Sequence, residues 1–249
     1  YLDTGGSNTG EAIVGTVSNT SISFGTPVQF EPATIEYNSI TFDSNSNRVI
    51  IAYSDAGNST YGTAVVGTVS GTSISFGTPV VYNTATTRSN AVTFDGANRI
   101  IVAYRDGGNS NYGTINVASV SGNSILFGGT AAVFAASAVD DIGATVDSNL
   151  GKIVLAYRDG GNSSDGTAIF GARISSYVVD FESPVVYETG GGARFNSVIF
   201  DSNSNKLVIS YGDSGNSTYG TSIVGEIGAG SFTTGSKYYV TTAGSYSTS

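Results

Sequence analysis

The chain contains no cysteine, histidine, methionine or tryptophan, only four prolines, and charged residues at just 12% of its 249 positions. Each absence removes some chemistry. Without cysteine there is no disulfide framework, and without cysteine and histidine there is no zinc site of the usual kind. Without imidazole, a Ser-His-Asp relay has no proton carrier. Tryptophan, the usual sugar platform of glycosidases, is missing too. No apolar run approaches the roughly 20 residues of a membrane-spanning helix, and no secretory leader is visible. Lacking even an initiating methionine, the chain reads as a mature or trimmed product, or a piece of something longer. Positive charge is scarce: 10 Lys and Arg against 19 Asp and Glu leave a net charge of −9, with no basic cluster. Nucleic acid and anionic membrane surfaces are therefore not expected partners. No cofactor is implied.

What the chain does have is a repeated phrase. Tyr53-Ser54-Asp55-Ala56-Gly57-Asn58-Ser59 returns at Tyr104, Tyr157 and Tyr211, and a worn copy opens the chain at Tyr1. These tyrosines stand 52, 51, 53 and 54 residues apart. A fixed period of this size means one supersecondary unit stacked or closed on copies of itself. Within one period, residues 38–42 alternate polar and apolar, and 43–47 (Asp-Ser-Asn-Ser-Asn) break the pattern with turn formers. Residues 48–53 (RVIIAY) form a nearly continuous β-branched run, as in a strand buried on both faces. A Gly/Asn/Ser loop follows, then strands over 63–69 and 73–82 joined by a tight turn. Four antiparallel strands in about 50 residues is the size of one propeller blade. Pro27, Pro79 and Pro184 all fall in the fourth strand, which suits an outer edge because proline cannot donate to a ladder.

The phase of the repeat predicts the ring. Third and fourth strands recur five times, near residues 11–30, 63–82, 114–134, 167–187 and 221–240, whereas complete first and second strands recur four times. The fold expected is all-β: a five-bladed β-propeller of four-stranded antiparallel blades forming one domain over 1–249. In a Velcro-type closure, residues 245–249 would complete the blade begun at the N-terminus. A closed ring of this kind implies a monomer.

The strand order places the Asp-x-Gly-Asn-Ser loops on one face, with the connectors 31–37, 83–90, 135–143 and 188–196. These connectors differ from one another, so this face is the functional candidate. In the loops, Asp accepts hydrogen bonds from amides two to four residues on and Gly takes a positive φ. The loops also hold what a sugar pocket uses: Asp55, Asn58 and Tyr61; Asp106, Asn109 and Tyr112; Asp159 and Asn162; Asp213, Asn216 and Tyr219. Arg105 and Arg158 offer either a contact to an acidic sugar or a pairing with the adjacent Asp. Asp43-x-Asn45-x-Asn47 and Asp201-x-Asn203-x-Asn205 imitate the start of an EF-hand loop. They lack its Gly and distal Glu, and they sit where a hairpin turn is required. They read as turns, and no metal site is predicted.

The loops partially resemble the Asp-box hairpin of sialidases and other propellers, of form Ser-x-Asp-x-Gly-x-Thr-Trp. Asp55, Gly57 and Ser59 align with it, while Tyr53 replaces the leading Ser and no Trp is present. In that family the motif is structural. A glycosidase would need carboxylates at unique positions. Nine acids are instead locked to the repeat (Asp3, Asp55, Asp106, Asp159 and Asp213; Asp43, Asp95, Asp147 and Asp201). Glu31, Glu36, Asp140, Asp141 and Glu188 remain on the connectors. Internal symmetry suits multivalent binding better than catalysis, so no enzyme is expected, and a propeller glycosidase is the third reading. The repeats, best seen over residues 43–81, are similar to those of large virion proteins of marine bacteriophages, commonly taken as tail-fibre or other structural proteins. That resemblance covers nearly the whole chain. It implies a structural or adhesion module, extracellular or on a virion, with other virion proteins or a host-surface glycan as partner. The alternative is a multivalent lectin with one shallow site per blade.

Overall fold

The computed structural model describes residues 1–5, 8–173, 177–228, 231–242 and 245–248. Among these residues, all regular elements are strands apart from two single turns of 3-10 helix, Ala56–Asn58 and Ser214–Asn216. Among the described residues, no helix is long and apolar enough to cross a membrane.

The second strand of each unit is the β-branched run. Arg48–Asp55, Ile100–Asp106, Lys152–Asp159 and Lys206–Asp213 each pair on one side with a first strand and on the other with a third. The first strands are Ile35–Asp43, residues 87–94, residues 139–147 and Ala193–Asp201. The third strands are Tyr61–Ser70, Tyr112–Ser121, Asp165–Arg173 and Tyr219–Gly228. Fourth strands pair back on the third. In the second and third units they run on without a break into the next unit's first strand, giving the long segments Val80–Phe94 and Ser124–Asp147. The first unit holds only Leu2–Asp3, Thr9–Ala12 and Val28–Glu31, with the hairpin Gly15–Ser18 and Ser21–Phe24 at its outer end. Among the described residues the chain thus forms one partial unit and four complete units, the last of which carries Ser245–Thr248 as a fifth strand.

The core lies between units. Side chains alternate across a strand, so Ile51 and Tyr53 pack back on Phe30 of the first unit, while Ile50 and Ala52 pack forward on Val92 and Ile100 of the third. Two further cores of the same kind join the third unit to the fourth and the fourth to the fifth. Burial on both faces is why these strands read as continuous apolar runs. The prolines interrupt the fourth strand, falling between Ser21–Phe24 and Val28–Glu31, between Ser73–Phe76 and Val80–Phe94, and between Val179–Phe181 and Val185–Glu188. The third unit has Gly128-Gly129 at this place, and there the strand is continuous.

The structure differs from the expected Velcro-type ring. Ser245–Thr248 pairs antiparallel with Ser231–Thr242, its immediate predecessor, and Leu2–Asp3 pairs only with Thr9–Ala12. Ser249 lies outside the described residues. A local hairpin closes a short loop, whereas ring closure would bring together ends more than 200 residues apart, at a greater entropic cost. No sheet among the described residues joins the first unit to the fifth. Ile40, facing the first unit, which has no inner strand among the described residues, is accordingly 60% exposed, against 6% and 8% for its counterparts Val92 and Val198.

Candidate functional site

Loops and connectors do share one face, tied by a hydrogen bond that recurs in every complete unit. Ala56 N donates to Thr34 O (3.0 Å), Gly107 N to Thr86 O (2.8 Å), Gly160 N to Ala138 O (2.8 Å) and Ser214 N to Gly192 O (3.0 Å). Within the loops, an Asp carboxylate accepts backbone amides: Asp55 from Asn58, Asp106 from Gly108, Asp159 from Gly161 and Asp213 from Asn216. Burial and the nearby Glu188 push the Asp213 carboxyl above its ordinary range. Gly6 and Ser7 of the opening copy lie outside the described residues.

The glycine of the loop serves differently from the expectation. Positive φ falls instead on Ser59 and Thr60 and on their counterparts at 110–111, 163–164 and 217–218. Gly57, Gly108 and Gly161 are required by close approach: a Cβ there would lie 2.5–2.7 Å from the Cβ atoms of Ala33, Ala85 and Ser137 on the connectors. On the opposite face, Asp43 and Asp201 turn their carboxylates onto the amides and hydroxyls of their own turns. The bond from the Ser204 hydroxyl, with the Asn203 amide, holds the Asp201 carboxyl below its ordinary range.

Of the residues singled out from the sequence, Asp and Asn come together in each loop, but the two arginines do not join them. Strand alternation sends Arg105 and Arg158 to the other side of their strands, where both reach Asp140 on the third connector. Arg105 Nη1 lies 2.6 Å from Asp140 Oδ1, Arg158 Nη2 3.0 Å from Asp140 Oδ2, and Arg158 Nε 3.2 Å from Asp141 Oδ2. Their partner is therefore neither an adjacent loop Asp nor open solvent. Tyr61 and Tyr112 are half-buried and Tyr219 is exposed.

Two features of this face were missed in the sequence. The first is axial. Each inner strand carries a β-bulge near its start, between Glu36 and Ser39, Arg88 and Ala91, Asp140 and Gly143, and Arg194 and Ser197. At each bulge a non-glycine residue is left-handed: Tyr37 (φ 50°), Ser89 (52°), Asp141 (53°) and Phe195 (55°). Such residues cost about 1–2 kcal/mol each. Bulges re-aim side chains, and these four surround a cavity of about 300 Å³ at the mouth of the axis. Tyr37 is 44% and Phe195 79% exposed there. Beneath them Asn38, Asn90 and Asn196 line both the mouth and the channel below it; Asn38 is exposed, while the amides of Asn90 and Asn196 are held by Tyr82 and Ser54 and by Tyr187 and Asp141.

The second feature is the groove between consecutive units. The register sets Gly10 opposite Glu31, Gly62 opposite Asn83, Gly113 opposite Ala135 and Gly166 opposite Glu188. The preceding aromatic (Phe30, Tyr82, Phe134 or Tyr187) lies over the glycine, 2.4–2.8 Å from where a Cβ would be. Tyr82 and Tyr187 donate their hydroxyls to Asn90 and Asn196 of the next inner strand (2.8 and 2.7 Å). Where the aromatic is Phe134, the next inner strand instead offers Ile142, which joins the same core. Aligning the connectors on these aromatics would have exposed both correlations from sequence.

No protein-family model matches the sequence, and no curated protein does. Solved structures do match in fold. The NanB sialidase of Streptococcus pneumoniae superposes with a TM-score of 0.56 at 13% identity over 80% of the chain, which spans about a third (32%) of that enzyme's length. The Aleuria aurantia lectin, in complex with Fucα1-6GlcNAc, superposes with a TM-score of 0.53 at 13% identity, covering 91% of this chain and 78% of the lectin. At this identity the likeness shows a fold. The chain is an all-β, propeller-like protein.

Proposed function

We propose that the protein is a non-enzymatic carbohydrate-binding module that takes a neutral glycan at the axial mouth of the connector face. The ring of four left-handed bulges carries this reading. Bulky residues hold a strained backbone conformation only where the surrounding fold compels it, and such strain gathers at functional sites. Here it presents two exposed aromatic rings and a serine hydroxyl beside the exposed Asn38 amide, the mixture that stacks on a sugar and hydrogen-bonds its rim. With Arg105 and Arg158 engaged by Asp140 and Asp141, and a net charge of −9, neutral sugars are favoured over acidic ones. The inner strands place small residues such as Ser39, Ala91, Gly143 and Ser197 along the channel, which supports binding rather than hydrolysis. The lectin complexes with Fucα1-6GlcNAc and α-methyl-L-fucoside supply the first probes.

A display module on a marine phage virion, facing a host surface, is the second reading, favoured by the likeness of the repeats. It is compatible with glycan binding and sets its place outside the cell. A glycan array probed with the purified chain tests the binding, and Tyr37→Ala and Phe195→Ala should each weaken it about tenfold, the loss of one stacking face. An array with no neutral glycan bound, or binding indifferent to both substitutions, refutes the proposal.

A further inference from the structure

The grooves between units are built alike, and one of them has been emptied. Between the first and second units, Tyr53 Oη donates to Glu31 Oε2 at 3.0 Å. Between the fourth and fifth, Tyr211 Oη donates to Glu188 Oε2 at 2.6 Å. Between the second and third, Asn116 Nδ2 donates to Tyr104 Oη at 3.3 Å, and Asn83 bonds Asp106. The fourth case is Tyr157, between the third and fourth units. The Glu31 position holds Ala135, and the Asn116 position holds Ile169. Tyr157 is 1% exposed, and its hydroxyl has no hydrogen-bond partner among the described residues. That hydroxyl is not sealed off: it keeps a face open to the groove, where a ligand can reach it.

The space left by Ala135 is a cavity of about 350 Å³, lined by Phe134, Ala135, Tyr157, Asp159, Asn162 and Pro184. By the repeat's own geometry, the Tyr157 hydroxyl points to where Glu31 and Glu188 place their carboxylates in the other grooves. Asp159 turns one carboxylate oxygen, Oδ1, to the Gly161 amide (2.9 Å) and the Ser137 hydroxyl (2.6 Å), leaving Oδ2 for a ligand. We infer that this groove is a second binding site, one per chain and separate from the axial mouth, for a neutral polyhydroxylated ligand of sugar size. One hydroxyl of such a ligand accepts from Tyr157 while another donates to Asp159 Oδ2, and Phe134 and Pro184 meet its apolar face. A free carboxylate in the ligand is disfavoured by Asp159.

The test restores what the other grooves possess. The chain with ¹³C-labelled tyrosine is titrated with the methyl glycosides of L-fucose, D-galactose, D-mannose and D-glucose, with N-acetylneuraminic acid as the acidic control. A neutral glycoside should shift the Tyr157 ring signal with one-to-one saturation. Ala135→Glu, which supplies Tyr157 with the partner found in the first and fourth grooves, should abolish that response and raise the melting temperature. Tyr157→Phe should weaken binding about tenfold, and Phe195→Ala should leave the groove unchanged. If no neutral glycoside perturbs Tyr157, or if the response survives Ala135→Glu, the inference is overturned. Loss of array binding in Phe195→Ala with an intact Tyr157 response would separate this site from the axial one.

Discussion

Raising the pH above 10 should unfold this protein in one steep transition. Tyr53, Tyr104, Tyr157 and Tyr187 are buried, and that burial, followed by nearby carboxylates, pushes each phenol well above its ordinary value of 10.0. Below pH 10 they are protonated in both folded and unfolded chains, and their contribution to stability is fully present. Between 10 and the raised folded value, the unfolded chain releases phenolic protons while the folded chain retains them. Stability then falls with pH, by about 1.4 kcal/mol per unit for each tyrosine, or about 5.6 kcal/mol per unit for the four. Against a total of about 5–15 kcal/mol for a typical domain, this loss completes unfolding within about two pH units. Tyrosinate absorbance and far-ultraviolet circular dichroism should change together and more steeply than a single ionisation. Gradual ionisation near pH 10 with an unchanged sheet signal would contradict it.

The second large effect concerns a glycine that gives little sign of its importance. In the Phe-Gly-Thr-Pro phrase, a Cβ on Gly77 would sit 1.9 Å from the carbonyl oxygen of Asn123, and one on Gly25 would sit 2.0 Å from that of Thr72. The outer strands of the first and second units thus touch the hairpin turn of the next unit, backbone against backbone, and a rigid carbonyl cannot swing aside. Gly77→Ala should therefore cost about 3 kcal/mol and lower Tm by about 10 °C. Gly71, six residues earlier, is glycine for another reason: its φ is +60°, and nothing lies within 4 Å of a Cβ placed there. Gly71→Ala should cost only about 1 kcal/mol, the price of a left-handed alanine. Equal losses in a denaturant titration of the two variants would show that the outer strands do not make this contact.

The same two glycines show where reading the sequence succeeds. A turn at Ser70-Gly71-Thr72 follows from residue type alone, because a positive φ is a local demand. The need for Gly77, and for Gly57, Gly108 and Gly161, lies in a neighbouring unit or connector that the local pattern does not name. The arginines behave likewise. Arg105 and Arg158 stand next to the loop aspartates in sequence, yet alternation along the strand carries them to Asp140, 35 and 18 residues away. Tyr157 was visible as one of a series, but its isolation appears only when Ala135 and Ile169 are both placed against it. Tyr37, Ser89, Asp141 and Phe195 share no residue type. Only the common bulge of the inner strands reveals them as equivalent.

Taken alone, then, the amino-acid order determined the all-β class, the period of about 50 residues, the strand content of each unit, the prolines of the fourth strand and the duty of the loop aspartates. All of these rest on alternation, turn chemistry and repetition, which act within a few residues or copy themselves along the chain. Tertiary structure decided the rest: the hairpin at 245–248 in place of a closed ring, the pairing of both arginines with Asp140, the bulges that ring the axis, and the one groove left without its partner. Each depends on which side chains meet across units, and a residue's type does not say what will stand opposite it.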